Sequence, residues 1–244
     1  YDIDFVSVLT EHDAVLTKLH DALSQMKSKE RLALGVIGAT PSTAVEDITV
    51  DFDDSRIHAV SPLWMENGES MAGAYVGLRA ALGLTTTPIG QKIRLRSPPA
   101  RDYTLPERGT LIDGNITPLE AQGYSARVAD DLTTVSEENS EEQNMKYGFS
   151  RLVVDFLLDT VHELESPYVG KFNSPGAIGQ LEDLLNKEAR PLKESAVIYD
   201  YDVSVELVDP TSARVIFQSD VAEPIRNIKN DFVIGNDLSI QNEA

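Results

Sequence analysis

A nearly continuous apolar run, RLALGVIGA (31–39), constrains the fold of this chain more than any other stretch. It has the length of a strand that is buried on both faces, which is typical of the inner strands of a parallel sheet covered by helices. An amphipathic helix is predicted before it, at 12–27. After it come a second short run, RIHAVSPLW (56–64), and a helix-like segment rich in glycine and alanine that begins at 71. Helix, strand, strand and helix in this order predict an α/β layer.

The middle of the chain, 97–134, is rich in turn residues and predicts mostly loops. Pro118 suits the first turn of a short helix that would end at Gly123. The following segment, SARVADDLTT (125–134), predicts a strand. The middle of the chain is thus expected to contain one short helix and one strand among loops.

The C-terminal part begins after a polar acidic segment, SEENSEEQN (136–144), which indicates a surface loop or a domain boundary. An apolar stripe from Phe149 to Leu164 predicts a long helix that ends at the Ser166–Pro167 break. A second helix is predicted from Pro175 to about Pro191, and two strands follow it. The sequence thus predicts an α/β domain at 1–140, either whole or truncated at its N-terminus, and an α+β domain at 141–244 that ends in a linking strand.

The net charge of the chain is −19, from 40 acidic and 21 basic residues. Such a surface repels nucleic acids and anionic membranes, so we expect neither as a partner. An acidic surface of this kind suits a protein that works in high salt, although an ordinary mesophilic protein with an acidic surface is an equal alternative.

No apolar run approaches the length of a membrane span, which favours a soluble protein. The chain has no cysteine, which excludes thiolate catalysis and disulfides.

Sequence motifs of enzymes are missing: there is no G-x-S-x-G elbow, no phosphate-binding loop and no zinc-binding H-E-x-x-H helix. The histidines have no metal-ligand spacing and indicate surface or satisfied core positions. The acidic turn at Asp51, Asp53 and Asp54 lacks the glycine and distal glutamate of a calcium loop. We predict no catalytic residues, no metal site and no cofactor, and the remaining alternative of an α/β hydrolase-like enzyme lacks a nucleophile and base.

A glycine inside a helix lowers the stability of the helix by roughly 1 kcal/mol relative to alanine. The glycines of the helix that begins at 71 therefore need a compensating interaction. Gly73 and Gly77 are four residues apart, and Ala80 and Ala81 follow. Small residues at this spacing allow the close approach of another backbone. That backbone could belong to the chain's own sheet or to a neighbouring subunit.

Three segments together resemble the tail sheath proteins of contractile phages and related contractile injection systems. They are PLWMENGESMAGAYVGLRAALGLTTTPIG (62–90), TPLEAQGYSARVADDLTT (117–134) and the C-terminal stretch 150–203, in which SPYVGKFNSP separates two helices before a strand. The resemblance covers most of the chain from about residue 56. Its specificity lies in the order and spacing of the segments, since no single motif is diagnostic.

The resemblance implies a structural subunit whose copies stack in hexameric rings around a tail tube and contract to drive the tube through a cell envelope. Implied partners are further copies of the chain, the tail tube protein, and the baseplate and tail terminator proteins. The implied location is the virion tail, assembled in the host cytoplasm. Another virion or injection-machine component with the same layered fold is the alternative. The chain is shorter than the family pattern, and the extended N-terminal linking arm is not evident before Tyr1.

The last part of the chain, PIRNIKNDFVIGNDLSIQN (224–242), mixes apolar and polar residues in a strand-like way. A terminal strand with unpaired backbone groups is a template for pairing with another chain. We predict that Phe232, Ile234 and Leu238 share one face of a strand that links subunits. The alternative is a last strand of the chain's own sheet.

Overall fold

A computed structural model describes residues 5–27, 32–139, 142–170, 174–209 and 212–222 of the chain. Two sheets are present in these ranges. The first has six strands and the second is a hairpin of two strands near the C-terminal end of the described ranges. The fold is mixed α/β with a helix and hairpin unit at its end, as the sequence predicts.

The six-stranded sheet has the order β1-β2-β3-β5-β6-β4. Its first four strands are parallel, and β6 and β4 continue it in antiparallel fashion. The strands are β1 (Phe5–Ser7), β2 (Leu34–Gly38), β3 (Ile57–Ser61), β4 (Lys92–Arg94), β5 (Ile116–Ala121) and β6 (Ser125–Val128). All residues of β2 and β3 are buried, which confirms the strand that the apolar run predicts.

Helices cover both faces of this sheet. They are α1 (Asp13–Lys27), α2 (Met71–Leu82) and α3 (Leu105–Asp113). Side chains of α1 and α3 pack with Ile37 of β2 in one core. Val36, the residue before Ile37, packs with α2 in a second core. Successive residues of a strand point to opposite faces, so β2 contributes to both cores. This double burial is the reason that its sequence is apolar without alternation.

The C-terminal unit consists of α4 (Gly148–Glu165), α5 (Pro175–Glu194), β7 (Ile198–Asp209) and β8 (Ser212–Val221). The helices begin close to the predicted positions. However, α5 continues past Pro191, its predicted end, to Glu194. Pro191 is exposed, and solvent can therefore satisfy the carbonyl group that its missing N–H leaves without a helical partner.

Two predictions for the middle of the chain are wrong. Pro118 does not begin a helix; it lies in β5 beside Ser61 of β3, and the buried positions 116–119 belong to the sheet core. Burial between two cores thus overrides the local preference of proline. The helix of this region is α3, in a segment whose composition predicts loops. Thr104 and Glu107 form a capping box at its start. The predicted strand at 125–134 is confirmed over Ser125–Val128.

No helix in the described ranges is long and apolar enough to cross a membrane.

Candidate functional site

The hairpin of β7 and β8 is the candidate site, because its edges can accept further strands. The two strands pair in antiparallel register from Ile198 opposite Val221 to Asp209 opposite Ser212. Within the described part of the chain, no other strand pairs with either outer edge. A two-stranded ribbon is only marginally stable alone, and its free edges present unpaired N–H and C=O groups. The geometry therefore favours the addition of strands from another segment or chain.

Helices hold the hairpin in place from one side. Val203 and Val205 of β7 pack against Leu181 and Leu185 of α5. Nearer the base of the hairpin, Ile198 packs in a cluster with α4 whose buried members are Phe149, Val153, Leu157 and Val197. The ring of Tyr201 stacks on that of Phe217 across the two strands, with centroids 6.3 Å apart. The ribbon is thus fixed before any strand is added, which lowers the entropy cost of binding.

Apolar side chains remain exposed along β7. Tyr199 is 63% exposed, Leu207 is 50% exposed and Val208 is 64% exposed. Scattered exposed apolar residues are ordinary, but these three lie on one strand with an open edge. An added strand would cover such side chains while its backbone extends the ladder.

A polar groove runs between α5 and β7, lined by Asn186, Arg190, Lys193, Glu194 and Tyr201. Lys193 Nζ donates a hydrogen bond to Asp200 Oδ1 at 2.6 Å, and it lies 5.8 Å from the centre of the Tyr201 ring. The hydrogen bond from Lys193 lowers the pKa of Asp200, and the same contact raises the pKa of Lys193. Both groups are therefore charged at neutral pH, and they connect the last turn of α5 to the hairpin.

The small residues predicted for close packing lie on α2. The helix buries Met71, Ala72, Tyr75 and Arg79 against the sheet. A Cβ at Gly73 would lie 3.2 Å from Leu9 Cδ2, whereas a Cβ at Gly77 would meet no atom within 4 Å. Ala80 and Ala81 are exposed. Packing within the described chain therefore gives no reason for Gly77, and its role in a contact between subunits stays a prediction.

Phe232, Ile234 and Leu238, the predicted linking strand, lie outside the described residues.

A buried polar cluster beneath α2 is absent from the sequence predictions. Its centre is Asp131, which is fully buried. Tyr75 Oη donates a hydrogen bond to one carboxylate oxygen at 2.6 Å, and Arg79 Nη1 donates to the other at 3.0 Å. His58 Nδ1 lies 3.8 Å from the first oxygen. Burial lowers the pKa of His58 to about 4, against the opposing charge of Asp131. His58 is therefore neutral at pH 7, and the cluster holds one ion pair.

A second buried cluster joins β3 to α4. Both terminal nitrogens of Arg56 donate to the carboxylate of Asp155, at 2.9 and 3.0 Å. Arg151, one turn earlier on α4, also pairs with Asp155. Removing one member of such a buried pair leaves an uncompensated charge, which costs several kcal/mol. The pair of Arg56 and Asp155 therefore fixes α4 against the start of β3.

A hydroxyl and an imidazole on one helix, and the acidic turn at 51–54, do not meet the needs of catalysis and metal binding, and neither forms a reactive site. Ser150 and His162 both lie on α4, about 18 Å apart along the helix axis at 1.5 Å per residue. In the acidic turn, Asp53 accepts hydrogen bonds from the backbone N–H and the hydroxyl of Ser136, at 2.9 and 3.0 Å. The backbone hydrogen bond lowers the pKa of Asp53. No group of three or more potential metal ligands occurs among the described residues.

No known protein-family profile and no curated protein sequence matches this chain. Solved structures do match. The sheath tail protein of Desulfitobacterium hafniense superposes with a TM-score of 0.67 at 12% identity, over 91% of this chain and 57% of that protein. The helical sheath of the anti-feeding prophage in its contracted state gives a TM-score of 0.72 at 12% identity, over 93% of this chain and 68% of that one.

The baseplate structure of the anti-feeding prophage also contains a match, with a TM-score of 0.71 at 13% identity, over 91% of this chain and 66% of that one. This chain thus spans about three fifths of the length of the first sheath protein. At such identities the likeness concerns the fold. Across nine tenths of its length, the chain has the fold of the tail sheath proteins of phage-like contractile systems.

Proposed function

We propose that this protein is a structural subunit of a contractile tail sheath. Its copies would assemble as stacked hexameric rings around a tail tube and contract to drive the tube through a cell envelope. The observation that carries the proposal is the match to sheath structures over 91–93% of the chain. The catalytic alternative has less support, because Ser150 and His162 lie about 18 Å apart along α4.

The hairpin supplies the physical means of linking subunits. Its two open edges suit strands donated by neighbouring copies, and the C-terminal segment with Phe232, Ile234 and Leu238 is the proposed donor. Strand addition combines many backbone hydrogen bonds with tolerance of rotation between rigid bodies. The buried clusters support the rigid part: the one around Asp131 holds α2 to the loop after β6, and the one around Asp155 holds α4 to Arg56 at the start of β3. Contraction would then change contacts between subunits rather than within them.

The remaining parts of the proposal concern partners and organisation. The tail tube protein would lie inside the rings, with baseplate and tail terminator proteins at the two ends. The subunit would be assembled in the host cytoplasm and located in the virion tail or injection machine, without contact to nucleic acid or membrane. Within the subunit we propose a boundary near residue 140, between an α/β domain and the C-terminal α+β domain.

A second candidate is another structural component of an injection machine. The match to a chain in the anti-feeding prophage baseplate structure favours it as a specific observation. In that case copies would form a ring of fixed size instead of a long cylinder.

Negative-stain electron microscopy of the purified protein tests the proposal. A sheath subunit is expected to form hollow, striated tubes at high protein concentration, and a ring component is expected to form single rings. The Ser150→Ala variant serves as a control for the enzymatic alternative and should form the same assemblies. Dispersed particles at every concentration, together with turnover of an ester or peptide substrate that Ser150→Ala abolishes, would refute a structural role.

A further inference from the structure

Basic side chains gather at one end of the six-stranded sheet. Around β4, exposure alternates along the chain: Lys92, Arg94 and Arg96 are exposed, and Ile93 between them packs in the core under α2. This alternation places the three basic side chains on the sheet face opposite α2. Arg127 of β6 lies directly opposite Lys92 and is half exposed. We call Lys92, Arg94, Arg96 and Arg127 the basic ridge.

The basic ridge brings like charges together. Lys92 and Arg127 are direct cross-strand partners, an arrangement that destabilises a sheet. β6 lies between β4 and β5, so Arg127 also has a partner on β5, Glu120, whose carboxylate is 3.9 Å from Arg127 Nη1. However, the same carboxylate already pairs with Arg108. One acidic group is thus shared between two arginines, and the ridge keeps a net positive charge.

No acidic side chain of the described ranges lies within ion-pair distance of Lys92, Arg94 or Arg96. This separation occurs in a chain with 40 acidic and 21 basic residues. Since acidic residues outnumber basic ones almost twofold, most exposed cations would be expected to have an acidic neighbour. The ridge is a positive surface on a strongly negative molecule, and it suits a negative protein surface.

We propose that the basic ridge docks on the acidic surface of a second copy of this chain. A second copy has a net charge of −19 and therefore offers a complementary surface. At about 0.15 M salt, screening over roughly 8 Å weakens the repulsion between the two molecules as wholes, while close ion pairs persist. The proposal rests on the proposed function, in that it adds a contact between sheath subunits beyond strand exchange.

Protection of the sheet edge and binding of nucleic acid are two alternative roles for the basic ridge. Charged side chains on a last strand, lysine above all, keep the sheet from pairing with other sheets. Glutamate also keeps the edge charged, so under edge protection the charge-reversed ridge should self-associate like the control. Nucleic acid could also bind a basic ridge, but the negative field of the whole molecule opposes its phosphates. Charge reversal, cross-linking and DNA binding distinguish both roles from a contact between copies.

The first test compares two charge-matched variants of the full chain by sedimentation velocity at 0.15 M salt. Arg94→Glu/Arg96→Glu reverses the centre of the ridge, and Lys18→Glu/Lys187→Glu reverses two exposed lysines elsewhere with the same change in net charge. We expect the ridge variant to weaken self-association at least about tenfold, and the control to weaken it much less. Equal self-association of the ridge variant and the control overturns the proposal, as does an unmodified protein that stays monomeric.

The second test identifies the occupant. ¹⁵N-labelled and unlabelled protein are mixed and treated with a carbodiimide, which joins a lysine amine to a carboxylate in direct contact. Mass spectrometry is expected to find Lys92 joined to an aspartate or glutamate of the other copy, and to lose this product in Arg94→Glu/Arg96→Glu. Products confined to one chain overturn the proposal. So does binding of a labelled DNA duplex at 0.15 M salt that the ridge variant abolishes.

Microscopy of the same variants separates this proposal from the proposed function. Oligomers that depend on the ridge but never form tubes or rings would support the ridge and refute the sheath function. Tubes that form equally well from Arg94→Glu/Arg96→Glu would support the sheath function and overturn the ridge.

Discussion

Gly77 lies on the exposed side of α2, where a Cβ would meet no atom within 4 Å. Replacement by alanine should therefore raise the free energy of unfolding of the monomer by about 0.5–1 kcal/mol. If a neighbouring subunit approaches this face closely, the same variant should form fewer tubes. Gly179→Ala in α5, which also meets open space, is the control and should stabilise without loss of tubes. Denaturant melts beside microscopy measure both effects, and unchanged assembly of Gly77→Ala would remove the predicted contact.

His58 predicts a dependence of stability on pH. Its pKa is about 4 in the folded protein and about 6.5 in an unfolded chain. Between these pH values the unfolded state binds more protons than the folded state. The stability that depends on neutral His58 is therefore fully present above about pH 6.5 and is lost as the pH falls towards 4. From pH 7.5 to 4.5 this loss is roughly 2.5 kcal/mol at 1.36 kcal/mol per pKa unit.

The matched variant for this prediction is His58→Gln. All other titrating groups act in both proteins, so the difference between their pH dependences isolates His58. Urea denaturation measures the free energy of unfolding at pH 7.5 and at pH 4.5. This free energy should fall between the two pH values in both proteins, and the fall should be smaller in His58→Gln by roughly 2.5 kcal/mol. Identical decreases in the two proteins would mean that His58 is not held neutral by burial.

The polar clusters could not be predicted from the sequence. Asp131 and its partner Tyr75 are separated by 56 residues, and the buried pair of Arg56 and Asp155 by 99. No local spacing marks such pairs, because the sheet brings them together. His58 does stand out as a polar residue within an apolar run, but periodicity alone does not distinguish a buried neutral histidine from an exposed one.

At the scale of elements, the start of α4 depends on a close approach to β3. A Cβ at Gly148 would lie 2.0 Å from His58 Cε1 and 2.7 Å from Asp131 Oδ1. Gly148→Ala must therefore displace α4 or the buried cluster, and overpacking of this kind costs about 1–3 kcal/mol. Thermal melts should show this loss for Gly148→Ala, against a gain for Gly179→Ala. A Gly148→Ala protein as stable as the original would contradict the described packing.

Strong periodicity predicts the elements well. The apolar stripes indicate α1, α4 and α5, and the apolar runs indicate β2 and β3, because each element buries a face that its own sequence defines. The wrong assignment at Pro118 and the missed α3 have the opposite origin. In β5, burial in the sheet decides the conformation, while α3 has a weak apolar stripe with only Leu111 buried. A sequence pattern does not show which strands pair. It therefore could not predict that β7 and β8 have no further partner strand within the described residues.

At the scale of the whole molecule, the net charge of −19 leads to a prediction about salt. If the acidic surface is an adaptation to high salt, lowering the salt from molar concentration to about 0.1 M should lower the melting temperature and loosen assemblies. The reason is that unscreened like charges then repel over about 10 Å. Differential scanning fluorimetry at the two salt concentrations measures this. Equal melting temperatures would favour an ordinary acidic protein.

Removal of the C-terminal segment should abolish assembly without unfolding the subunit. Four core clusters are formed by residues within 5–222, from the six-stranded sheet, its helices and the C-terminal helices and hairpin. Deletion of residues 228–244 should therefore leave a folded, soluble monomer that forms no tubes. If the segment is instead a strand of the chain's own sheet, the deletion should destabilise the monomer by several kcal/mol.

Hydrogen exchange on the hairpin tests whether β7 and β8 accept a strand from a neighbouring copy. A synthetic peptide of residues 226–244 is added to the chain that lacks residues 228–244, with a scrambled peptide as control. We expect that the native peptide alone binds and slows amide exchange along an outer edge of Ile198–Asp209 or Ser212–Val221. Binding without protection of the hairpin, or equal protection by the scrambled peptide, would contradict it.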